Sequence, residues 1–306
     1  MTKIDIVVVG SLNMDLVASV PRLPATGETL IGSGFATHHG GKGGNQAVAA
    51  ARLGARVAMI GRVGNDDHGR RLRAALADEG IDVTGVSIDP DTPTGIALIT
   101  VDSASRNTIV VVPGSNLRLT IDELDRHAWT GSRCLICQLE IDDAVTAAAL
   151  RRAHAAGLRT YLNPAPAPLD ASRWIETLAF VSTLVVNETE AALLSGLPVG
   201  DVGQAKSAAR SLRSHGCDEV VVTLGSAGVV RSTAAGEVHH AGFVVEAVDS
   251  TAAGDTFIGA LAAAFVAGRD GVSSIEFAQR AAALSVTRHG AQSSIPTVAE
   301  VTAWTA

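Results

Sequence analysis

Asp249-Ser250-Thr251-Ala252-Ala253-Gly254-Asp255-Thr256-Phe257 reads as the junction where an apolar strand ends and a helix opens. Small residues at 252–254 leave backbone N–H groups pointing outward in the first helical turn. Unpaired amides and the positive end of the helix dipole favour an anion there. Asp255 then sets a carboxylate beside that site. A carboxylate at a helix start is a common stabilising feature in its own right. For anion binding alone it is counterproductive, because it repels the ligand. For phosphoryl transfer it has a use: it can take the proton of an attacking hydroxyl while the amides hold the phosphate.

Strand–helix junctions of this kind recur along the chain. Apolar runs predict strands at 4–9, 57–61, 134–138, 158–162, 183–186 and 219–223. Helical runs are expected near 44–53, 66–79, 142–156, 188–195, 203–215, 255–268 and 273–289. Such alternation predicts a parallel sheet with helices on both faces. Two segments, 16–38 and 95–112, break the pattern, being β-rich with turns at Pro21–Gly27 and Asp102–Asn107. The second, Thr94–Val101 followed by Thr108–Val112, reads as a hairpin.

His38-His39-Gly40-Gly41-Lys42-Gly43-Gly44-Asn45-Gln46 is the other unusual stretch. Its four glycines leave the backbone bare enough for a small polar ligand to lie against it. It is not a Walker A loop, since Lys42 is followed by Gly43, and it lacks the dinucleotide G-x-G-x-x-G spacing. Lys42 is one of only three lysines among 24 basic residues, so it is an uncommon choice, though a solvated turn would also accept it. Asn13 and Asp15 follow the strand Ile6–Gly10, where α/β sheets present ligand-binding groups. Alternating short polar side chains suit a polyol, while an Asx turn is the plain alternative. Glu140 closes the strand Cys137–Glu140.

The chain has 306 residues, 47% of them hydrophobic, and a formal net charge of −7. That charge argues against a nucleic-acid or anionic-membrane partner. Neither a basic leader nor an apolar run near 18 residues is visible, which points to a cytoplasmic protein. Cys134-Leu135-Ile136-Cys137 has C-x-x-C spacing, but no second pair completes a zinc site, and it reads as core packing.

Gly10-Ser11-Leu12-Asn13-Met14-Asp15, the Gly40–Gln46 loop, Asn163-Pro164-Ala165-Pro166-Ala167, Asn187-Glu188-Thr189-Glu190-Ala191, Thr223-Leu224-Gly225-Ser226-Ala227-Gly228, Asp249–Phe257 and Thr287-Arg288-His289-Gly290-Ala291-Gln292 occur in that order. Together, over residues 4–296, they resemble the ribokinases within the PfkB family of sugar and nucleoside kinases. The resemblance implies a single ribokinase-like α/β domain over 1–306, a three-layer sandwich with a central, mostly parallel sheet. Segments 16–38 and 95–112 would form an inserted β lid, whose apolar outer face implies a homodimer. The implied activity is ATP-dependent phosphorylation of the D-ribose 5-hydroxyl. Kinases for 2-deoxyribose, another pentose or a nucleoside are the alternatives. A non-catalytic sugar-binding regulator would need a broken base or phosphate loop, and neither is broken.

Carried over position by position, the resemblance makes Asp255 the general base and the amides of Ala252, Ala253 and Gly254 the anion hole. Asn13, Asp15, Gly41, Lys42, Asn45 and Glu140 match sugar-binding positions. Asn187 and Glu190 match the motif that positions phosphates and Mg²⁺ through water. Thr223, Leu224, Gly225, Ser226, Ala227, Gly228 and Gln279 match nucleotide-lining positions. Asp249, Thr251, Ser285, Arg288, Gly290 and Ser294 match positions that hold K⁺, mostly through carbonyls. His39, Met14 and Ile258 depart from the family pattern, and each could reshape the sugar pocket.

Overall fold

The computed structural model describes residues 3–305 apart from 105, 127, 128, 130, 169 and 171. Among them, the strands run in chain order as β1 (Ile6–Val9), β2 (Asn13–Val20), β3 (Gly34–Gly40), β4 (Val57–Gly64), β5 (Asp82–Asp89), β6 (Gly95–Asp102) and β7 (Asn107–Val112). They continue as β8 (Cys134–Cys137), β9 (Arg159–Leu162), β10 (Thr183–Asn187), β11 (Glu219–Thr223), β12 (Val229–Thr233) and β13 (Gly236–His240). Helices are α1 (Lys42–Arg52), α2 (Asp67–Asp78), α3 (Asp143–Ala155), α4 (Ser172–Ile175), α5 (Glu188–Ser195), α6 (Val202–Arg213), α7 (Ala253–Val266), α8 (Gly271–Ser285) and α9 (Val298–Ala303).

The main sheet has the order β13-β12-β11-β10-β9-β8-β1-β4-β5. It is parallel from β5 to β11, and β12 and β13 close one edge antiparallel. Strand alternation splits its side chains between two cores. Ile6, Val8, Cys134 and Ile136 pack with α1, α2, α7 and α8. Val7, Val9, Leu135 and Cys137 pack with α3, α5 and α6 on the other face. The two cysteines of the C-x-x-C therefore point to opposite sides of β8. Burial pushes both thiols well above their ordinary pKa, so core packing is the correct reading.

The smaller sheet has the order β3-β2-β6-β7, with β2 and β6 parallel and the outer pairs antiparallel. The hairpin expected over 94–112 is β6–β7. Only 34–40 and the strand starting at Asn13 are extended in the first lid segment; residues 21–33 form no strand. Strand order reverses at β1, which has β4 on one side and β8 on the other. Ligand sites of open α/β sheets lie beyond strand ends at such a point. No described helix is long and apolar enough to cross a membrane.

Several expectations need correction. No strand precedes Asp249: residues 241–252 have no regular strand pairing, and the amides of Val248 and Asp249 donate to the Val286 carbonyl instead. Val244 there is 97% exposed, so the apolar run walls a cleft rather than filling a sheet. The last long helix stops at Ser285, where Arg288 N–H turns back to the Ser285 carbonyl. β8 ends at Cys137, leaving Glu140 in the bend after it. β5, β12 and β13 escaped the sequence reading, since Asp82–Asp89 and Gly236–His240 mix charged and apolar residues at edge positions.

Candidate active site

α1 starts at Lys42, inside the glycine loop, because its first turn is held from outside. Glu140 accepts from the Lys42 amide at 3.0 Å and from the Ser11 hydroxyl at 2.5 Å. Ser11 Oγ in turn accepts from the Gly43 amide at 3.3 Å. A Cβ on Gly43 would stand 2.6 Å from Ser11 N, and one on Gly41 2.6 Å from Asn13 N. Gly41 also has φ 84°, where glycine is strongly favoured. These glycines let the post-β1 loop and the helix start touch backbone to backbone. Glu140 is thus a clamp on this junction.

On β2, Asn13 and Asp15 share one face and are buried. Cross-strand partners share a face, so His38 of β3 and Gly95 and Ala97 of β6 lie on it too. Asn116, in the turn after the lid hairpin, donates to Asn13 Oδ1 at 2.7 Å and accepts from the Leu12 amide at 2.9 Å. Met14 points the other way, into the core, and its partner His39 goes with it. Ile258 is also a core residue. The departures at Met14, His39 and Ile258 therefore do not line the polar face, and His38 does.

Four carboxylates and one ammonium gather here. Burial, then Glu140 and Asp255, push the Asp15 carboxyl up to about 7. Burial works against the half-buried Lys42 ammonium, but Asp255, Glu140 and Glu190 outweigh it and hold its pKa above the ordinary value. Burial lifts the Glu190 carboxyl, against the pull of the Asn187 amide and Lys42. Asp255, in the first turn of α7, accepts from Asn45 Nδ2 on one oxygen and Gln46 Nε2 on the other, both at 2.9 Å.

Ala252 caps α7 in the left-handed region at φ 59°, the one non-glycine with positive φ among the described residues. That costs of order 1 kcal/mol and turns the following backbone outward. The amides of Ala252 and Gly254 have no hydrogen-bond partner among the described residues, whereas the Ala253 amide donates to Ser250 at 3.2 Å. Two of the three expected anion-hole donors are therefore unengaged.

Beyond Gly254 opens a cavity of about 390 Å³ lined by Thr223, Gly225, Ser226, Gly228, Gln279 and Phe257, among others. Leu224 does not line it: it is buried in the second core. Ala227 does not line it either, its amide closing the turn onto Leu224 O. Gly228 admits the 240–242 backbone, which a Cβ there would meet. Gln279 donates to the Ala241 carbonyl at 3.0 Å. Phe243, Val244, Val245 and Ala247 form a wall that sequence reading missed, as did Asn116 and Gln46. A polar residue opening an apolar helical run was the one available signal, and it applied to Gln46 alone.

Asn187 and Glu190 form a reciprocal cap on α5, at 2.8 and 3.0 Å. Asn163 reaches Glu190 Oε2 at 3.5 Å. Asp249 accepts from the Thr251 amide and hydroxyl at 2.9 and 2.6 Å and from the Gly290 amide at 2.9 Å. Burial opposes the charge, but those three donors hold its carboxyl below the usual range. Ser285 and Ser294 turn their hydroxyls onto the carbonyls of Ala282 and Ala291. The Arg288 guanidinium turns to Glu300 at 2.7 Å. Asp249, Thr251 and Gly290 are joined directly, and Ser285, Arg288 and Ser294 could contribute only through their backbone.

A cavity and a buried polar cluster that meet at a helix N-terminus carrying a carboxylate suit phosphoryl transfer on an α/β fold. The pfkB family carbohydrate kinase pattern matches residues 3–298, and the chain belongs to that family. It is 42% identical over 292 residues to the ribokinase of Haemophilus influenzae, covering 95% of this chain and 94% of the relative. It is 38% identical over 298 residues to the deoxyribokinase of Salmonella typhi, covering 96% of each. The solved structure of Arabidopsis thaliana ribokinase complexed with ribose and ATP superposes with a TM-score of 0.89 at 30% identity, over 99% of this chain and all of that one.

Proposed function

We propose that the protein phosphorylates the 5-hydroxyl of D-ribose with ATP. The observation that carries this reading is the start of α7. Ala253 and Gly254 line the large cavity, and the next residue, Asp255, belongs to the buried polar cluster with Asn45, Asp15 and Lys42. A phosphate at the cavity's inner end and a hydroxyl in the polar pocket would meet across one helical turn.

In this mechanism Asn13, Asp15, Asn45 and Lys42 hold the sugar hydroxyls, with Gly41 giving the backbone room. Glu140 positions Lys42 and Ser11. Asp255 accepts the 5-hydroxyl proton as that oxygen attacks the γ-phosphorus, and the bond from the γ-phosphorus to the β,γ-bridging oxygen breaks, releasing ADP. The Ala252 and Gly254 amides receive the developing phosphoryl charge, joined by Ala253 once its bond to Ser250 opens. Thr223, Gly225, Ser226, Gly228 and Gln279 line the nucleotide.

Mg²⁺ would be held through water by the Glu190 carboxylate, with Asn187 beside it; among the described residues no group of three or more His, Cys, Asp or Glu is placed to hold the ion directly. When bound, Mg²⁺ neutralises the phosphates of ATP. K⁺ fits the ionised Asp249 and the loops it ties together, which underlie the anion-hole turn. A homodimer through the lid is supported by Leu98, Ile109, Val110, Val111 and Val112, all at least 44% exposed on β6 and β7. A cytoplasmic location suits an enzyme that draws on cellular ATP.

The deoxyribokinase relative makes 2-deoxyribose the first alternative. An ADP-release assay over a panel of pentoses and nucleosides tests the reading. D-ribose should exceed 2-deoxyribose in kcat/KM by about 10–100-fold, since an absent hydroxyl leaves buried polar groups unpaired. A preference for 2-deoxyribose, or for a nucleoside, would overturn ribose as the substrate.

A further inference from the structure

Asp255 is tied to a polar chain that the sugar and nucleotide sites do not require. Gln46 Nε2 donates to Asp255 Oδ1 at 2.9 Å, and Gln138 Nε2 donates to Gln46 Oε1 at 2.6 Å. Both glutamines are fully buried. The chain crosses three elements: α7 supplies Asp255, α1 supplies Gln46, and the residue after β8 supplies Gln138.

Its direction is fixed chemically. A carboxylate only accepts, so Gln46 must turn its NH₂ toward Asp255. Its oxygen then faces Gln138, which must answer with its own NH₂. At the far end Gln138 Oε1 is buried without a hydrogen-bond partner. It lies over Gly10, where any Cβ would collide with it. Asn45 holds the other carboxylate oxygen, and Asn45 Oδ1 is likewise unpaired, so that side has polar capacity left for a ligand.

We propose that Gln138 and Gln46 form a one-way amide relay that positions Asp255, holding Oδ1 from the core side while Asn45 holds Oδ2, so that the carboxylate is fixed in one orientation toward the substrate hydroxyl. The relay rests on the reading of Asp255 as the base. Other charged groups facing Asp255 are Lys42 on α1, Asp15 on β2 and Glu190 on α5, with Glu140, in the bend after β8, near Asp15 and Lys42. None of these makes a side-chain hydrogen bond to either glutamine among the described residues.

Gln138→Glu tests it, because the replacement keeps the shape and makes the donor titratable. While protonated, the introduced carboxyl donates to Gln46 Oε1 and preserves the relay. Once ionised, it demands the same NH₂ that Asp255 holds. The expected result is near-normal kcat at the acid end and a falling limb at higher pH, absent from the wild type, with about a tenfold loss and ribose KM within about threefold. Gln46→Leu removes the donor to Oδ1. It should lower kcat about 10–100-fold with ribose KM within about threefold, since the carboxylate loses the bond that orients it. If the Gln138→Glu profile runs parallel to the wild type and Gln46→Leu keeps its kcat, at unchanged melting temperature, the glutamines are core packing and the relay is overturned. Asp255→Asn is measured alongside: turnover surviving there removes the base itself, whereas an inactive Asp255→Asn with parallel glutamine profiles removes only the relay.

Discussion

On the sugar side of Asp255, nearly every wall is a named side chain held by another. Asn13 is fixed by Asn116, Glu140 grips Ser11 and the Lys42 amide, and Asn45 and Gln46 grip Asp255 itself. On the nucleotide side the wall is glycine backbone and mostly apolar side chains, Phe243 and Phe257 among them, with Val244 almost wholly exposed and the 241–252 segment outside any sheet. On the proposed reading the first half recognises hydroxyls one by one. The second is a shaped slot that relies on surface and on a few backbone amides. A specific small polyol needs directional partners; a nucleotide with a large flat base can be held by area.

The contrast can be broken with two glycines. A methyl on Gly40 would collide with the Asp15 carboxylate, whereas one on Gly254 meets nothing within 4 Å. Gly40→Ala should therefore cut kcat/KM for ribose by about 100-fold and lower stability by about 1–3 kcal/mol, with ATP KM unchanged. Gly254→Ala should cut kcat by about tenfold, the methyl standing before the unengaged amides, while stability holds or rises by up to about 1 kcal/mol in the helix. Equal losses of stability in the two variants would erase the difference between the halves.

Asp15 sharpens it by pH. Its folded pKa of about 7 lies above the ordinary carboxylate value, so between about pH 4 and 7 the native state keeps a proton that the unfolded chain has lost. Stability from this group is present below that window, falls as pH rises through it, and is flat above. Asp15→Asn cannot ionise, so its stability relative to the wild type should grow by about 1–3 kcal/mol from about pH 5 to pH 8. Thermal melts at the two pH values check this, and a constant difference would contradict it. The smallest effect is expected at the slot's rim: Val244→Ser should change ATP KM by less than about twofold, because the side chain is already solvated.

The same division explains what the sequence made legible. Parallel strands at 4–9, 134–138 and 219–223, the glycine loop and the Asp249–Phe257 junction announced themselves through apolar periodicity and through residue types few other roles require. The lid hairpin was visible in the alternation of 95–112. Asn116 was not, since a lone asparagine in a short turn looks like any turn residue. The apolar run 243–247 has the composition of a strand, but its side chains face a cavity instead of a sheet neighbour. Leu224 and Ala227 were assigned to the nucleotide by their place in a motif, but the turn there offers its glycines to the slot and its leucine to the core. Met14 and His39 looked like pocket residues because they neighbour Asn13, Asp15 and the glycine loop, yet strand alternation sends them to the opposite face.

The central claim is that Asp255 removes the sugar proton at the point where the two halves meet. Asp255→Asn keeps the size and one acceptor oxygen, so ATP and D-ribose should bind within about threefold of the wild type while single-turnover phosphoryl transfer falls by about 10²–10⁴-fold. Transfer persisting above a tenth of the wild-type rate, with both ligands bound, would contradict it.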